Sequence, residues 1–575
     1  MKKNKKYQNP PIKIIIGIIF IVLIIYVFIG FKSKKDQLDN VPWYPIDSNV
    51  VTTEKQTVVP KKVPKDSPKI DISEISKYSD YGYGKWEFGE GDKRVQRFDL
   101  MRAGYKPSTV DKKLLNFFAI TDIHITDKES PAQAIYLRNQ GGSYSAYSGV
   151  MLYTTQVLDA TLQTINVLHK ENPFSFGISL GDSVNSSQRN ELSWYIDVLE
   201  GGVIKPYSGV KSESMPDYQT TYKAVGLNAS IPWYQTLGNH DHFWMGFLPP
   251  DDHIRKTLNG KEILSLGNPF IDQNAINSRQ YYMGSIDGKT TYGSIIGEGS
   301  TDVPTPTIAS ADVNRKINST PEWMNKFYNS WSKPKGHGFD NKKYINEGFA
   351  NYTFEPKSTF PIKIIVLNDT QRDDDPNDPV ALGFGKDSYG YGHGELDDAR
   401  YKWLVNELKT GQAQGKLMII AAHVPIAVEK NPSMMAWNED FEKKLITELH
   451  NYPNLIMWIS GHRHKDTITA IKSPDPARPE LGFWEVETHS LRDFPQQFRT
   501  FQIVMNTDKT VSIFVTNVDP AVKEGSLAAI SRSYAIAASQ ILPAKPTPIP
   551  DGSYSGNAEL IKQLDPKMIN KIQTD

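Results

Sequence analysis

Leu114-Leu115-Asn116-Phe117-Phe118-Ala119-Ile120 runs into Thr121-Asp122-Ile123-His124, an apolar segment closed by two polar side chains two positions apart. A short run of aliphatic and aromatic residues bounded by Asp and His predicts a buried strand over 114–120. Four more segments have this form: 176–180 before Gly181-Asp182, 231–237 before Gly238-Asn239-His240-Asp241, 417–421 before Ala422-His423, and 455–459 before Gly461-His462-Arg463-His464. Loops at strand ends can converge on one point although the chain separates them by hundreds of positions, because the sheet holds them still.

The spacing within the blocks has a chemical reason. Asp122 and His124 are two apart, so in extended backbone they point the same way and can grip one ion. His462 and His464 repeat that interval and serve either one ion each or a shared site. The two oxygens of Asp182 suit it to bridging two ions. Asn239 offers a neutral carbonyl where a further carboxylate would over-neutralise the metals. The chain has no Cys, so the donors are imidazole, carboxylate and amide. That set suits Zn, Mn or Fe, divalent or trivalent, argues against a thiolate zinc site, and is large enough for two ions.

In this order the blocks resemble the signature of the calcineurin-like metallophosphoesterases, DxH, GD, GNHD or GNHE, H and GHxH, over residues 114–490. The resemblance implies an α/β fold of two packed mixed β-sheets flanked by helices. It implies that Asp122, His124, Asp182 and His464 hold one metal and Asp182, Asn239, His423 and His462 the other. It also puts His240 beside the metals, protonating the leaving group or steadying the transition state, with Asp241 orienting its ring. Residues 485–495, Glu-Val-Glu-Thr-His-Ser-Leu-Arg-Asp-Phe-Pro, are similar to a motif of prokaryotic members.

Two cations about 3.5 to 4 Å apart form the usual clamp for in-line displacement at phosphorus. A bridging water loses its proton near neutral pH to become the hydroxide nucleophile, and the ions neutralise charge growing on the phosphoryl oxygens. Metal-dependent hydrolysis of a phosphate ester is the activity so implied. One departure concerns the GD block: many members continue as GDxxD, and purple acid phosphatases put a tyrosine there, whereas this chain reads Gly181-Asp182-Ser183-Val184-Asn185. Asn185 removes the charge-transfer ligand of that branch, and either faces substrate or caps the following helix.

Residues 14–31 carry no charge and reach the roughly 18-residue minimum for a spanning helix. Lys2, Lys3, Lys5, Lys6 and Lys13 precede them, which favours a cytoplasmic amino terminus and an extracytoplasmic catalytic domain on a single-pass anchor in the cell membrane. Gly30-Phe31-Lys32-Ser33-Lys34 lacks the small residues of a cleavage site. Lys+Arg and Asp+Glu both total 65, so no global basic field exists to gather nucleic acid, and no specific binding to it is expected.

The expected organisation is a basic tail (1–13), an anchor (14–31), a Pro- and Lys-rich extended stalk (32–76), a catalytic domain (77–520) and a C-terminal helix and tail (521–575). Aromatic and Gly-rich 78–105 is expected to pack on the core as an irregular or hairpin segment. Helices are expected over 153–170, 396–408 and 527–542, and strands over 362–367, 483–487, 501–506 and 511–518. The irregular stretch 243–360 reads as a substrate-covering insertion. His242 and Arg492 are further candidates for contact with substrate phosphate, and the Gly-rich run 389–394 for a close pass beside the metals. Residues 373–378, though acidic, lack the spacing of an EF-hand loop. Besides a phosphate-ester hydrolase, two readings stay open: a phospholipid or cell-envelope phosphodiesterase, and a non-catalytic metal-containing surface protein.

Overall fold

The computed structural model describes residues 41–131 except 71 and 73, 148–211, 217–246, 249–260 except 251, the short strands 264–265 and 282–283, 310–370, 392–428, 437–543 and 550–569 except 551. The apolar stretch 14–31, the acidic run 373–378 and residues 389–391 lie outside the described residues. Among those described, no helix is long and apolar enough to cross a membrane.

Thirteen strands build two sheets. In chain order they are β1 (Val95–Arg97), β2 (Val110–Ile120), β3 (Phe176–Ser179), β4 (Trp233–Gln235), β5 (Tyr352–Phe354), β6 (Ile362–Val366) and β7 (Leu417–Ala421). There follow β8 (Leu455–Ser460), β9 (Thr467–Ile471), β10 (Phe483–Glu487), β11 (Phe498–Asn506), β12 (Val511–Val518) and β13 (Ala558–Lys562). The first sheet runs β1-β13-β12-β11-β2-β3-β4, and the second β5-β6-β7-β8-β10-β9. Both are mixed: β2, β3 and β4 are parallel to one another, as are β6, β7, β8 and β10, while β11, β12, β5 and β9 run antiparallel to their neighbours.

The inner faces share one core. Phe117 and Ile178 of the first sheet and Ile364, Ile419, Ile459 and Val486 of the second belong to a single buried cluster. At its centre the Phe117 ring is stacked between Phe176 and Phe501, with 4.7 Å between centroids on each side. Helix α1 (Thr154–Glu171) returns the chain from β2 to the parallel β3 and buries Leu158, Leu162 and Ile165 in the same cluster. The outer face of the second sheet is covered by α2 (Asp398–Ala413) and α3 (Glu439–Leu449), whose Leu404, Leu408, Leu445 and Leu449 meet Met418, Ile420 and Trp458. Asp397 and Asn438 cap these helices by accepting from the amides of Arg400 and Phe441, which fixes where each begins.

Two segments differ from the sequence expectation. Residues 41–76 are not a free stalk: Gln56–Pro60 pairs antiparallel with Trp86–Glu90, and Thr53 Oγ1 donates to the Asn517 carbonyl at 2.7 Å. Proline suits such an edge ribbon, because an edge strand leaves one set of amides without ladder partners. The tail likewise holds a strand, β13, which buries Ala558 and Leu560 between β12 and β1. Of the stretch read as a covering insertion, residues 310–360 contribute Trp323, Phe327 and Phe339 to the main core.

Truncating the stacked ring in Phe117→Ala should cost about 3–5 kcal/mol, read as a shift of the denaturant midpoint. Trp331→Ala, at a position 72% exposed, should leave that midpoint within about 0.5 kcal/mol of the parent.

Candidate metal centre

Every parallel strand of the two inner sets ends at one place. Asp122 and His124 follow β2, Asp182 follows β3, and Asn239 and His240 follow β4; His423 follows β7, and His462 and His464 follow β8. Side chains beyond the carboxyl ends of parallel strands are where α/β sheets gather their sites. The two sheets are bonded across this end: His423 Nδ1 donates to the Leu180 carbonyl at 2.8 Å, and the His462 amide to Asp122 Oδ2 at 2.9 Å. Gly461 is obligatory at this seam, since a Cβ there would lie 2.1 Å from Thr121 Oγ1 and 2.5 Å from Asp122 Oδ2.

The donors crowd within hydrogen-bonding distance of one another. His124 Nε2 lies 3.1 Å from His464 Nε2, and His423 Nε2 lies 3.2 Å from His462 Nδ1. Asn239 Oδ1 sits 2.8 Å from His423 Nε2 and 3.1 Å from His462 Nδ1, its orientation set by Nδ2 donating to the Gly246 carbonyl at 2.9 Å. Asp182 Oδ2 is 3.3 Å from His423 Nε2 and 3.6 Å from His124 Nε2, so one oxygen faces both halves of the cluster. Asp122 Oδ1 is buried with no hydrogen-bond donor against it among the described residues, and lies 3.3 Å from His464 Nε2. Asp122, His124 and His464 form one group of converging ligand atoms, Asp182, His423 and His462 another, and His124, Asp182 and His240 a third that shares a residue with each. Nitrogen and oxygen atoms aimed at common points are a donor set that a cation can satisfy in place of the protons that His423 and His464 otherwise carry.

Buttresses behind the ligands set their direction. His464 Nδ1 donates to Asp493 Oδ2, the arrangement that fixes the tautomer of a metal-binding imidazole. Asp369, just beyond β6, accepts from the amides of His423 and Val424 at 3.0 and 2.9 Å. Sequence reading missed both, although Asp369 ends an apolar strand as the five blocks do and Asp493 lies within the segment 485–495.

Charge follows from this crowding. Burial alone would raise Asp122 and Asp182, but the His464 and His423 imidazoles beside them hold both carboxyls below the usual range. Burial would likewise lower His423 and His464, yet Asp182 pushes the first and Asp122 the second up to about 10. Burial lowers His240 and His462 to about 3, so both are neutral.

His240 Nδ1 donates to the Asn185 main-chain carbonyl at 2.7 Å, and its own amide donates to Asp182 Oδ1 at 2.8 Å. Asp241 does not orient that ring, contrary to what the resemblance implies. Its carboxylate accepts from the amides of Gly238, Ser183 and Val184 at 2.9, 3.0 and 3.3 Å, clasping the second and third blocks together. A Cβ on Gly246 would lie 2.3 Å from His240 Nε2, so only glycine lets this backbone pack against the imidazole edge. Of the ligand blocks' side chains, His240 and His464 reach solvent, which marks the mouth of the site.

The remaining candidates are placed as follows. Arg492 is buried, with Nη1 donating to Asn185 Oδ1 at 2.8 Å and Thr126 Oγ1 at 3.0 Å. Asn185 caps no helix, the helix Arg189–Leu199 having Gln188 at its N-cap. His242 Nε2 pairs with Thr370 Oγ1 at 2.9 Å and its ring lies on Phe243. Gly392, within the Gly-rich run, packs on the Gly246 carbonyl and Asn239 Nδ2.

No protein-family model and no curated protein sequence matches the chain. Among solved structures, a dimetal phosphatase from Danio rerio is similar over 72% of this chain and 100% of that chain, at 12% identity and a TM-score of 0.36. A similarity of that degree carries no conclusion about activity.

Metal uptake must displace the protons on His423 and His464, so Zn or Mn added to metal-free protein at pH 8 in weak buffer should release about two protons per chain. Both imidazoles titrate near 10 when folded against 6.5 in the reference state, so their contribution to metal-free stability is complete below pH 6.5 and is lost as pH climbs through 10. The thermal midpoint of the metal-free protein should therefore fall between pH 6.5 and about 10 more steeply than that of the metal-loaded protein.

Proposed function

We propose that the chain is a metal-dependent hydrolase of phosphate esters with a dinuclear centre, one ion held by Asp122, His124, Asp182 and His464 and the other by Asp182, Asn239, His423 and His462. The observation that carries this reading is the pair of converging donor groups with Asp182 Oδ2 facing both, set beside a neutral imidazole that opens on solvent. Two bound ions supply Lewis acidity toward the phosphoryl oxygens and an activated water.

The protein's own part is positioning and proton handling. The Asn239 amide, locked by the Gly246 carbonyl, presents its oxygen to the cluster. His240, with its Nδ1 hydrogen committed to Asn185, presents a bare Nε2 at the mouth. Protonated there from solvent, His240 gives its proton to the leaving oxygen, the donor role that the resemblance implies. A purely structural metal site has no use for such a group, and this disfavours the non-catalytic reading.

The proposal extends to location. The uncharged stretch 14–31, with five lysines before it, supports a single-pass membrane anchor with the catalytic domain on the extracytoplasmic side. That tether favours a phospholipid or cell-envelope phosphodiester as the second substrate reading.

The test is hydrolysis of p-nitrophenyl phosphate and bis-p-nitrophenyl phosphate by the full chain, stripped of metal and then supplied with Mn, Zn or Fe. Metal-restored turnover is expected. Asp182→Ala should abolish it together with metal retention, and His240→Ala, with metal content kept, should lower kcat by about 10²–10⁴ on an alkyl ester such as glycerol 1-phosphate and by much less on the p-nitrophenyl esters. Full metal occupancy without turnover of either ester or of phospholipid vesicles would overturn the hydrolase.

A further inference from the structure

Asn185 contacts both His240 and Arg492. Its main-chain carbonyl holds His240 Nδ1 at 2.7 Å, while its side-chain Oδ1 accepts from Arg492 Nη1 at 2.8 Å and its Nδ2 faces Met245 Sδ at 3.6 Å. Those contacts fix the amide with its oxygen toward the guanidinium and its NH2 toward the thioether. Arg492 in turn reaches Thr126 Oγ1 at 3.0 Å and the His124 carbonyl at 3.4 Å, so it spans the first and second blocks from the loop beyond β10. One residue on, Ser186 donates its amide to the buried Glu191 carboxylate at 2.9 Å, which anchors the other side of the turn.

We propose that Arg492 is a positioning residue for proton transfer: by gripping the Asn185 side chain it fixes the carbonyl that aims His240, rather than clamping substrate phosphate. This rests on the phosphate-ester reading above. In the reaction the attacking water's oxygen bonds to phosphorus as the bond from phosphorus to the leaving oxygen breaks. The proton shed by the water passes to solvent, while His240 Nε2, protonated from solvent at the mouth, gives its proton to the leaving oxygen and is reprotonated after the product departs, so the imidazole ends as it began. Arg492, held two bonds of the network away, supplies no proton and meets no substrate oxygen.

Leaving-group chemistry separates this role from a structural one and from phosphate binding. A p-nitrophenolate departs without needing a proton, whereas an alkoxide such as that of glycerol 1-phosphate does not. Misaiming His240 should therefore penalise the alkyl ester far more than the aryl ester, on the order of tenfold to a hundredfold in the ratio of their kcat values. The comparison uses the full chain and the variants Arg492→Met, Asn185→Ala and Asn185→Asp, with metal content measured for each. Arg492→Met and Asn185→Ala are expected to lower the alkyl-to-aryl ratio at full metal occupancy. Asn185→Asp, whose carboxylate still accepts from Arg492, is expected to restore it toward the parent.

A ratio unchanged in Arg492→Met and Asn185→Ala, whether both esters slow equally, KM rises for both or metal is lost, would overturn the positioning role. Absence of turnover of either ester by the parent chain would instead overturn the hydrolase reading, so the two failures are distinguishable.

Discussion

The structure is organised around one crowded cluster of donors. Two pairs of imidazole nitrogens stand 3.1 and 3.2 Å apart beside two buried carboxylates, and without metal the charge of those carboxylates is balanced by protons on His423 and His464. Asp122, His124, Asp182, His462 and His464 all have positive φ, a left-handed backbone that non-glycine residues adopt at a penalty of roughly 1–3 kcal/mol each. Such strain persists where surroundings over-determine it. Here the surroundings are the hydrogen bonds that sew one sheet's loops to the other's, with Asp369 and Asp241 gripping backbone amides on either side of the seam.

A second layer lies behind the fifth block. Arg463, between the two histidines, is buried and bonded twice to Glu487 on the neighbouring strand, at 2.6 and 3.0 Å. A buried ion pair of this kind is poor evidence of net stability, because desolvation offsets much of its attraction. Its geometric effect is plain: the residue separating two ligands cannot swing without exposing a carboxylate to an apolar interior.

Much of this was legible in sequence where an element carries its own signal. The buried strands at 417–421, 483–487 and 511–518 coincide with β7, β10 and β12, and the helix expected over 153–170 is α1, because each is a self-contained apolar pattern. The elements that were misread depend on partners elsewhere: the ribbon at 56–60 is held by 86–90, and β13 by β12 and β1, so neither advertises itself locally. The site divides the same way. Ligands that end apolar runs were visible, whereas the group that aims His240 is a main-chain carbonyl and leaves no mark on residue type. Asp241 misled because it adjoins His240 in the chain; on the tight turn Asn239–Asp241 its carboxylate folds back on the Gly238 amide instead.

The first sheet also has a history that its finished form conceals. Val95 on β1 pairs with Ala558 on β13, and Phe117 on β2 with Phe501 on β11. At ribosomal speeds of about 5–20 residues per second, the N-terminal strands wait on the order of a minute for partners not yet made. Meanwhile the β2 edge that β11 will occupy is an open template for any other extended strand, and contacts of such long separation form slowly even once the chain is complete. A strand whose inner half is wholly buried in the finished protein is therefore a vulnerable part of it at birth.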